Sequence, residues 1–303
     1  MLSVSNYHYI REDYSANYPS VFGVTPAGFQ NQLKELSNIG DFVTINDLQN
    51  NYNDIISSKD NFYLITFDDG LKEQFTYALP ILDSLNIPAV FFANSINLLE
   101  NKVSNVHKIH ILRANLAPEI LLNNLLDNEL NIKKSDVLKA KSIYKYDEEK
   151  SAVLKFFLNY KMQPDLREEK IDLLFASFFD EKEVNEQLYF DKKEICLLAD
   201  LGYLGSHSHS HFALANLNDT QLEFELFKTK QYFEEITKKE IFSIAYPYGT
   251  KEAVDERVAK MAKKVGYKMG FTTTSGVNAN DEDLLLLNRF DCNDLIGGKN
   301  YKQ

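Results

Sequence analysis

Apolar positions along this chain fall into two alternating arrangements. Short continuous runs, Phe62-Tyr63-Leu64-Ile65 and Ala89-Val90-Phe91-Phe92-Ala93, predict strands buried on both faces, as in a parallel sheet. Between them Phe75, Leu79, Leu82 and Leu85 recur at helical spacing. Upstream, Leu2, Val4, Asn6 and His8 share one face of a first strand. Thr25 and Pro26 form an N-cap and N1 pair that predicts a helix through Leu36, and Phe42-Val43-Thr44-Ile45 predicts a short strand. The rhythm resumes from Asp191, with Gly202-Tyr203-Leu204 as a short strand. Thr220 with Glu223 reads as a capping box for a helix to about Thr237. Phe242-Ser243-Ile244-Ala245 predicts a strand. A helix from about Glu252 to Val265 then ends at Gly266 and leads into the strand Lys268-Met269-Gly270-Phe271-Thr272. Repeated strand–helix units of this kind predict an α/β barrel, with active groups at the carboxyl ends of its strands.

Residues 97–186 break the alternation. They are rich in Leu, Lys, Asn and Glu and read as several helices, which we expect to be an insertion within one barrel domain spanning residues 1–303. Following a barrel strand, the insertion is expected beside the mouth of the site. With 44% hydrophobic residues over 303 positions, a large core is easily filled. The formal charge of −11 argues against nucleic acid and anionic membrane as partners, since both demand a basic face. No apolar stretch approaches the length of a membrane span. The opening Met1-Leu2-Ser3-Val4-Ser5-Asn6-Tyr7-His8 lacks a basic stretch followed by a long apolar one, so a cytoplasmic protein is expected. Cys196 and Cys292 each sit in an apolar context and are expected to be free thiols.

The chemistry concentrates in three segments. Thr66-Phe67-Asp68-Asp69-Gly70 ends a predicted buried strand, where two adjacent carboxylates lose hydration and call for a use. Neighbouring strand side chains face opposite ways, so one carboxylate could hold a cation while the other handles a proton. Read alone, the segment fits a plain Asp-Asp-Gly turn slightly better, and a weak calcium site is a further alternative. The run His207-Ser208-His209-Ser210-His211 holds three of the chain's six histidines. His207 and His211, four apart, share a face. Two imidazoles with one carboxylate make a recurrent catalytic zinc shell with an open position for water. Pro247 and Gly249 break the strand that begins at Phe242, so the chain must open at Tyr248 into a loop able to present a backbone N–H to an oxyanion.

Together these segments resemble the polysaccharide deacetylase (NodB-homology) family of carbohydrate esterases. Thr66–Gly70 matches its first motif, His207–His211 its second, and Pro247-Tyr248-Gly249 the core of its third. The resemblance implies a distorted (β/α)7-type barrel with a helical insertion. It implies Asp68 as general base, Asp69, His207 and His211 as ligands of one divalent metal ion, and the Tyr248 amide as part of the oxyanion hole. Zinc is the expected metal, with cobalt, nickel or iron as alternatives. Two departures stand out. The arginine that usually opens the third motif is replaced by Ala245, and no histidine follows His211 to supply the usual acid. One circularly permuted branch of the family, similar to periplasmic poly-N-acetylglucosamine deacetylases, carries its acid histidine near the N-terminus. Asn6-Tyr7-His8-Tyr9 resembles that opening motif, which implies His8 as the acid. Arg289, after the apolar stretch ending at Leu287, is a candidate replacement for the missing arginine.

The expected function is therefore metal-dependent removal of an N-acetyl or N-formyl group from an amino sugar or glycan precursor. A carbohydrate-binding protein that kept the fold without turnover is the alternative from another class; an intact Asp68, which binding alone does not need, speaks against it. A two-histidine, one-carboxylate iron oxygenase is disfavoured because Asp69 lies far upstream, in an Asp-Asp pair. His107 and His110 share a helical face and are expected to pack rather than react.

Overall fold

The computed structural model describes residues 1–13, 18, 23–125, 132–144, 147–279 and 283–301. Its centre is a parallel sheet of β1 (Leu2–Tyr7), β2 (Asp41–Phe42), β3 (Phe62–Phe67), β4 (Ala89–Ala93), β5 (Leu204–Ser206), β6 (Ser243–Ala245), β7 (Met269–Phe271) and β8 (Phe290–Asp291). The strand order is β7-β6-β5-β4-β3-β1-β8, with β2 also paired to β3. Leu287 bridges in parallel to Phe271 of β7, and Phe290 pairs with Ser5 of β1. The segment Leu287–Asp291 is thus the seam at which the first and last parts of the sheet meet, giving the α/β barrel expected from the alternation.

Register decides which side chains face the barrel interior. Val4 pairs with Leu64, Asn6 with Thr66, and Ser5 with Ile65. Leu2, Val4, Leu64, Val90, Phe92, Ala245, Met269, Phe271 and Leu287 pack together as the interior core. The opposite faces, with Tyr7, Ile65, Phe67 and Phe91, pack against the surrounding helices. Phe67 stacks flat on Phe91 at 4.7 Å and more loosely on Tyr7 at 5.3 Å. Because both faces are apolar, the strands read as unbroken hydrophobic runs rather than as alternation. By the same period of two, the interior positions after the apolar layer are Asn6, Thr66 and Asp68, which build a polar layer at the carboxyl ends of the strands.

Several boundaries differ from expectation. Phe42–Ile45 is not one strand: only Asp41–Phe42 pairs, and Ile45–Ser57 is a helix. Thr44 caps it through a reciprocal box, its hydroxyl accepting from the Asp47 N–H while Asp47 accepts from the Thr44 N–H, both at 2.9 Å. An aspartate filling the usual Glu position and the β-branched run before it masked this start. The helix expected from Thr220 begins at Asp219, with Asn218 and Gln221 forming the box. The one expected from Glu252 begins at Glu256, capped by Asp255, and ends at a left-handed Gly266 as anticipated.

The chain forms two compact units. One comprises Met1–Tyr14, Phe22–Lys102 and Asn185–Gln303, and holds the barrel; the other comprises Ser15–Val21 and Val103–Val184. The second is helical, with helices Asn105–Asn115, Pro118–Leu125, Lys134–Ile143, Glu149–Phe156 and Pro164–Phe178. Within it Lys108 is buried and forms ion pairs with Asp172 at 2.8 Å and Glu181 at 2.7 Å. Among the described residues no helix is long and apolar enough to cross a membrane.

Candidate active site

Strand β3 delivers the first group. One period beyond Thr66, Asp68 lies on the interior side, 2% exposed, its backbone N–H extending the ladder to Tyr7 O at 2.9 Å. Arg289 reaches it from the seam and donates Nη1 to Oδ1 at 2.8 Å and Nη2 to Oδ2 at 2.7 Å. The same guanidinium donates to Thr66 Oγ1 at 3.2 Å and to Thr272 O at 2.8 Å, so its plane is fixed by three partners. Burial pushes the Asp68 pKa upward, but Arg289, and after it His207, outweigh burial and hold the carboxyl below its ordinary value.

Asp69 leaves the strand geometry. Its φ is +78° and that of Gly70 is +63°, a left-handed pair that turns the chain at once. A Cβ on Gly70 would lie 2.8 Å from Ala93 Cβ, so this turn needs glycine for space as well as conformation. The turn brings Asp69 Oδ1 to 3.4 Å from His207 Nε2 and 3.2 Å from His211 Nε2. One ligand atom from each of Asp69, His207 and His211 lies within 4.8 Å of the others, and all three residues are buried.

The two imidazoles come from the loop after β5. The His207 N–H continues the ladder to Ala93 O at 2.8 Å. Its Nδ1 is 2.7 Å from Ala245 O; a carbonyl only accepts, so Nδ1 carries the proton and the Nε2 lone pair faces Asp69. Left-handed residues at Ser208 (φ +62°) and His211 (φ +63°) fold the loop back on itself, and the two rings meet edge to face at 5.0 Å. Burial opposes charge on His207, but Asp68 and then Asp69 outweigh it and raise its pKa. Two carboxylates beside one imidazole thus create a place that favours a cation. A hard-to-intermediate donor set of one carboxylate and two Nε2 lone pairs, backed by a carbonyl behind one ring, fits a divalent transition metal.

The remaining candidates surround this cluster. His8 lies just beyond β1 with its side chain 44% exposed, and its Nε2 is 4.0 Å from Asp68 Oδ2. Gln74, which sequence reading overlooked, donates Nε2 to His8 O at 2.9 Å and Asp68 O at 2.6 Å, tying the two backbones together. It sits inside a π-type turn, Gln74–Ala78, and only its position after Asp-Asp-Gly hinted at a role. Tyr248 adopts φ +62° and Gly249 φ +62°, and the Tyr248 ring meets the His211 ring at 5.0 Å. His209 turns away from the ligand cluster, its ring bound to Ser95 and Glu100. His107 and His110 belong to the helical unit, where His107 is buried and the two rings meet at 6.0 Å.

Paired aspartates, two clustered histidines and a buried arginine thus gather at the carboxyl ends of the strands of a parallel barrel. The profile of the polysaccharide deacetylase family matches residues 56–121 and 165–270, and the chain belongs to that family. YxkH of Bacillus subtilis (strain 168), itself named for polysaccharide deacetylases, is 28% identical over 109 residues, 36% of this chain and 38% of YxkH; the match therefore spans well under half of that relative. The fold is similar to that of the deacetylase PplD of Streptococcus pyogenes, solved with acetate, at TM-score 0.59 and 17% identity, covering 96% of this chain and 91% of PplD. It is likewise similar to IcaB of Ammonifex degensii, at TM-score 0.58 and 16% identity, with 96% and 91% covered.

Proposed function

We propose that the chain is a metal-dependent deacylase that hydrolyses the amide of an N-acetylated or N-formylated amino sugar. The observation that carries this reading is the division of labour within the Asp-Asp pair. Asp68 is gripped by Arg289 at 2.8 and 2.7 Å, whereas Asp69 converges with His207 and His211. Asp69, His207 and His211 would hold one divalent ion, zinc by preference. When bound, that ion would polarise the amide carbonyl and lower the pKa of water.

Asp68 accepts the proton of the attacking water. Its lowered pKa keeps it ionised at neutral pH, and the bidentate arginine orients it. His8 is the partner acid. Its partly exposed ring beside Asp68 is placed to give a proton to the departing nitrogen, and exposure lets it exchange that proton with solvent. The Tyr248 amide donates to the developing oxyanion, on a loop that Thr273 holds by donating its N–H to Gly249 O (2.9 Å) and its hydroxyl to Tyr248 O (2.8 Å). The exposed Tyr248 ring offers an apolar face to a sugar. We take the helical unit as an insertion within a single deacetylase domain. The free thiols of Cys196 and Cys292 fit a cytoplasmic setting and, with it, an acylated precursor as substrate.

The test compares Asp68→Asn with Asp69→Asn. Asp68→Asn should retain one metal per chain while acetate or formate release falls by about 10²–10⁴-fold. Asp69→Asn should lose metal as well. Equal metal contents in the two variants, by elemental analysis, would contradict the split roles.

A further inference from the structure

Between the two candidate ligands stands a third histidine whose polar atoms are all engaged. The His209 side chain is 3% exposed. Its Nε2 lies 3.0 Å from Glu100 Oε1, and its Nδ1 lies 2.8 Å from Ser95 Oγ, which lies 2.8 Å from Thr229 Oγ1. A carboxylate only accepts, so Nε2–H donates to Glu100, and in the neutral ring the Ser95 hydroxyl donates to Nδ1. Its backbone is held too: His209 N–H donates to Glu225 O at 3.1 Å, and Ile96 N–H donates to His209 O at 3.2 Å. The flanking residues are tied to the same elements. The Asn94 side-chain amide donates to His207 O and, at 3.2 Å, to Ser208 O. Ser210 N–H donates to Glu225 Oε2 at 2.7 Å. Four of these partners, Asn94, Ser95, Ile96 and Glu100, come from the short stretch that follows β4.

We infer that His209 is a positioning residue: clamped between Ser95 and Glu100, it fixes the conformation of the loop and with it the separation of the His207 and His211 Nε2 atoms. The loop contains two non-glycine residues in left-handed backbone, Ser208 and His211, a strained conformation that persists only where surroundings enforce it. The ring lies at the middle of the loop, so its two hydrogen bonds act on both arms at once. Removing them lets the left-handed residues relax, and the two imidazoles no longer present one preformed pair. The Phe224 ring, 5.5 Å from His209 and nearly perpendicular to it, closes the outer side of this clamp.

The inference rests on the metal-binding reading of Asp69, His207 and His211, and the experiment separates the two. Zinc affinity is measured by chelator competition, and the cobalt(II) d–d spectrum is recorded, for wild type, His209→Ala, His209→Gln and Glu100→Gln. Glu100 has a side chain 39% exposed, so its variant keeps the fold even where a His209 variant does not. His209→Ala should bind zinc about 10–100-fold more weakly, with an altered cobalt spectrum and an unchanged far-ultraviolet circular dichroism. His209→Gln, which retains a donor and an acceptor, should recover part of the affinity, and Glu100→Gln should lose affinity in the same direction. Wild-type affinity and spectrum in Glu100→Gln, or in a folded His209→Ala, would overturn the clamp. A wild-type protein that binds neither ion would instead overturn the metal site itself.

Discussion

Asp68 and Asp69 are neighbours on the chain, yet the backbone between them separates two kinds of chemistry. Asp68 keeps the strand's interior phase and meets a buried arginine; Asp69, at φ +78°, turns aside to meet imidazoles. The Asp68–Arg289 pair should set the acid limb of activity. Arg289 is the largest of the causes that lower the Asp68 pKa against burial, so Arg289→Met should move the acid limb of kcat/KM to higher pH. An unchanged limb would show that another group titrates there. The sign for stability follows from the same shift. A carboxyl lowered on folding contributes stability that is fully present above its unfolded pKa and is lost as pH falls through the lowered folded value. The variant should therefore lose stability at neutral pH and show less further loss on acidification than wild type does. His8 gives a second residue-scale prediction. His8→Ala should lower turnover of an unactivated amide by about 10²–10⁴-fold, while sparing an aryl acetate whose leaving group needs no proton. Equal losses on both substrates would remove His8 from the acid role.

At the scale of elements, the strands that carry the site are short. β5, β6 and β7 have three residues each, and their loops do the chemistry while the sheet holds their ends. The Tyr248–Gly249 turn shows how tightly one such loop is held. A Cβ on Gly249 would lie 2.6 Å from the Thr273 backbone nitrogen, at a φ of +62°. Gly249→Ala should therefore cost about 1–2 kcal/mol for the left-handed conformation alone, measured by urea denaturation. It should also lower turnover, because the displaced neighbour, Tyr248, carries the amide we propose for the oxyanion, and metal content should be unaffected. Much of this layer was legible in the sequence. Unbroken apolar runs marked β3 and β4, the i, i+4 histidines marked one arm of the site, and Pro247 with Gly249 marked the loop. The helix Ile45–Ser57 was not legible, because Val43, Thr44 and Ile45 have strand propensity and only the Thr44–Asp47 box overrides it. Nor did periodicity reveal the seam. Arg289 owes its place to a parallel bridge from Leu287 to Phe271 and to a pairing of Phe290 with Ser5 near the other end of the chain, contacts that no local pattern encodes.

For the molecule as a whole, the question is whether the fold depends on the ion proposed for its Asp69, His207 and His211 cluster. The barrel interior is an apolar cluster from Leu2, Val4, Leu64, Val90, Phe92, Met269, Phe271 and Leu287, a second cluster joins the outer faces of the strands to the helices, and neither includes a ligand. Each fully buried Leu, Val or Phe in such a layer contributes about 1.5–3 kcal/mol, so the barrel has its own reason to form, unlike small domains that fold only around a metal. Chelation should accordingly leave a folded, cooperatively melting protein without activity. Adding zinc back should stabilise it by mass action, by about 2.7 kcal/mol at a free concentration 100 times the dissociation constant. For a chain of 303 residues that corresponds to a rise in Tm of roughly 4 °C. The three proposed ligands all lie in the barrel unit. If the helical unit, Val103–Val184 with Ser15–Val21, melts in a transition of its own, that transition should not move with zinc. Chelated protein that loses its circular dichroism at room temperature would show instead that the ion is part of the core. The same result in Asp69→Asn without any chelator would locate that dependence at this site.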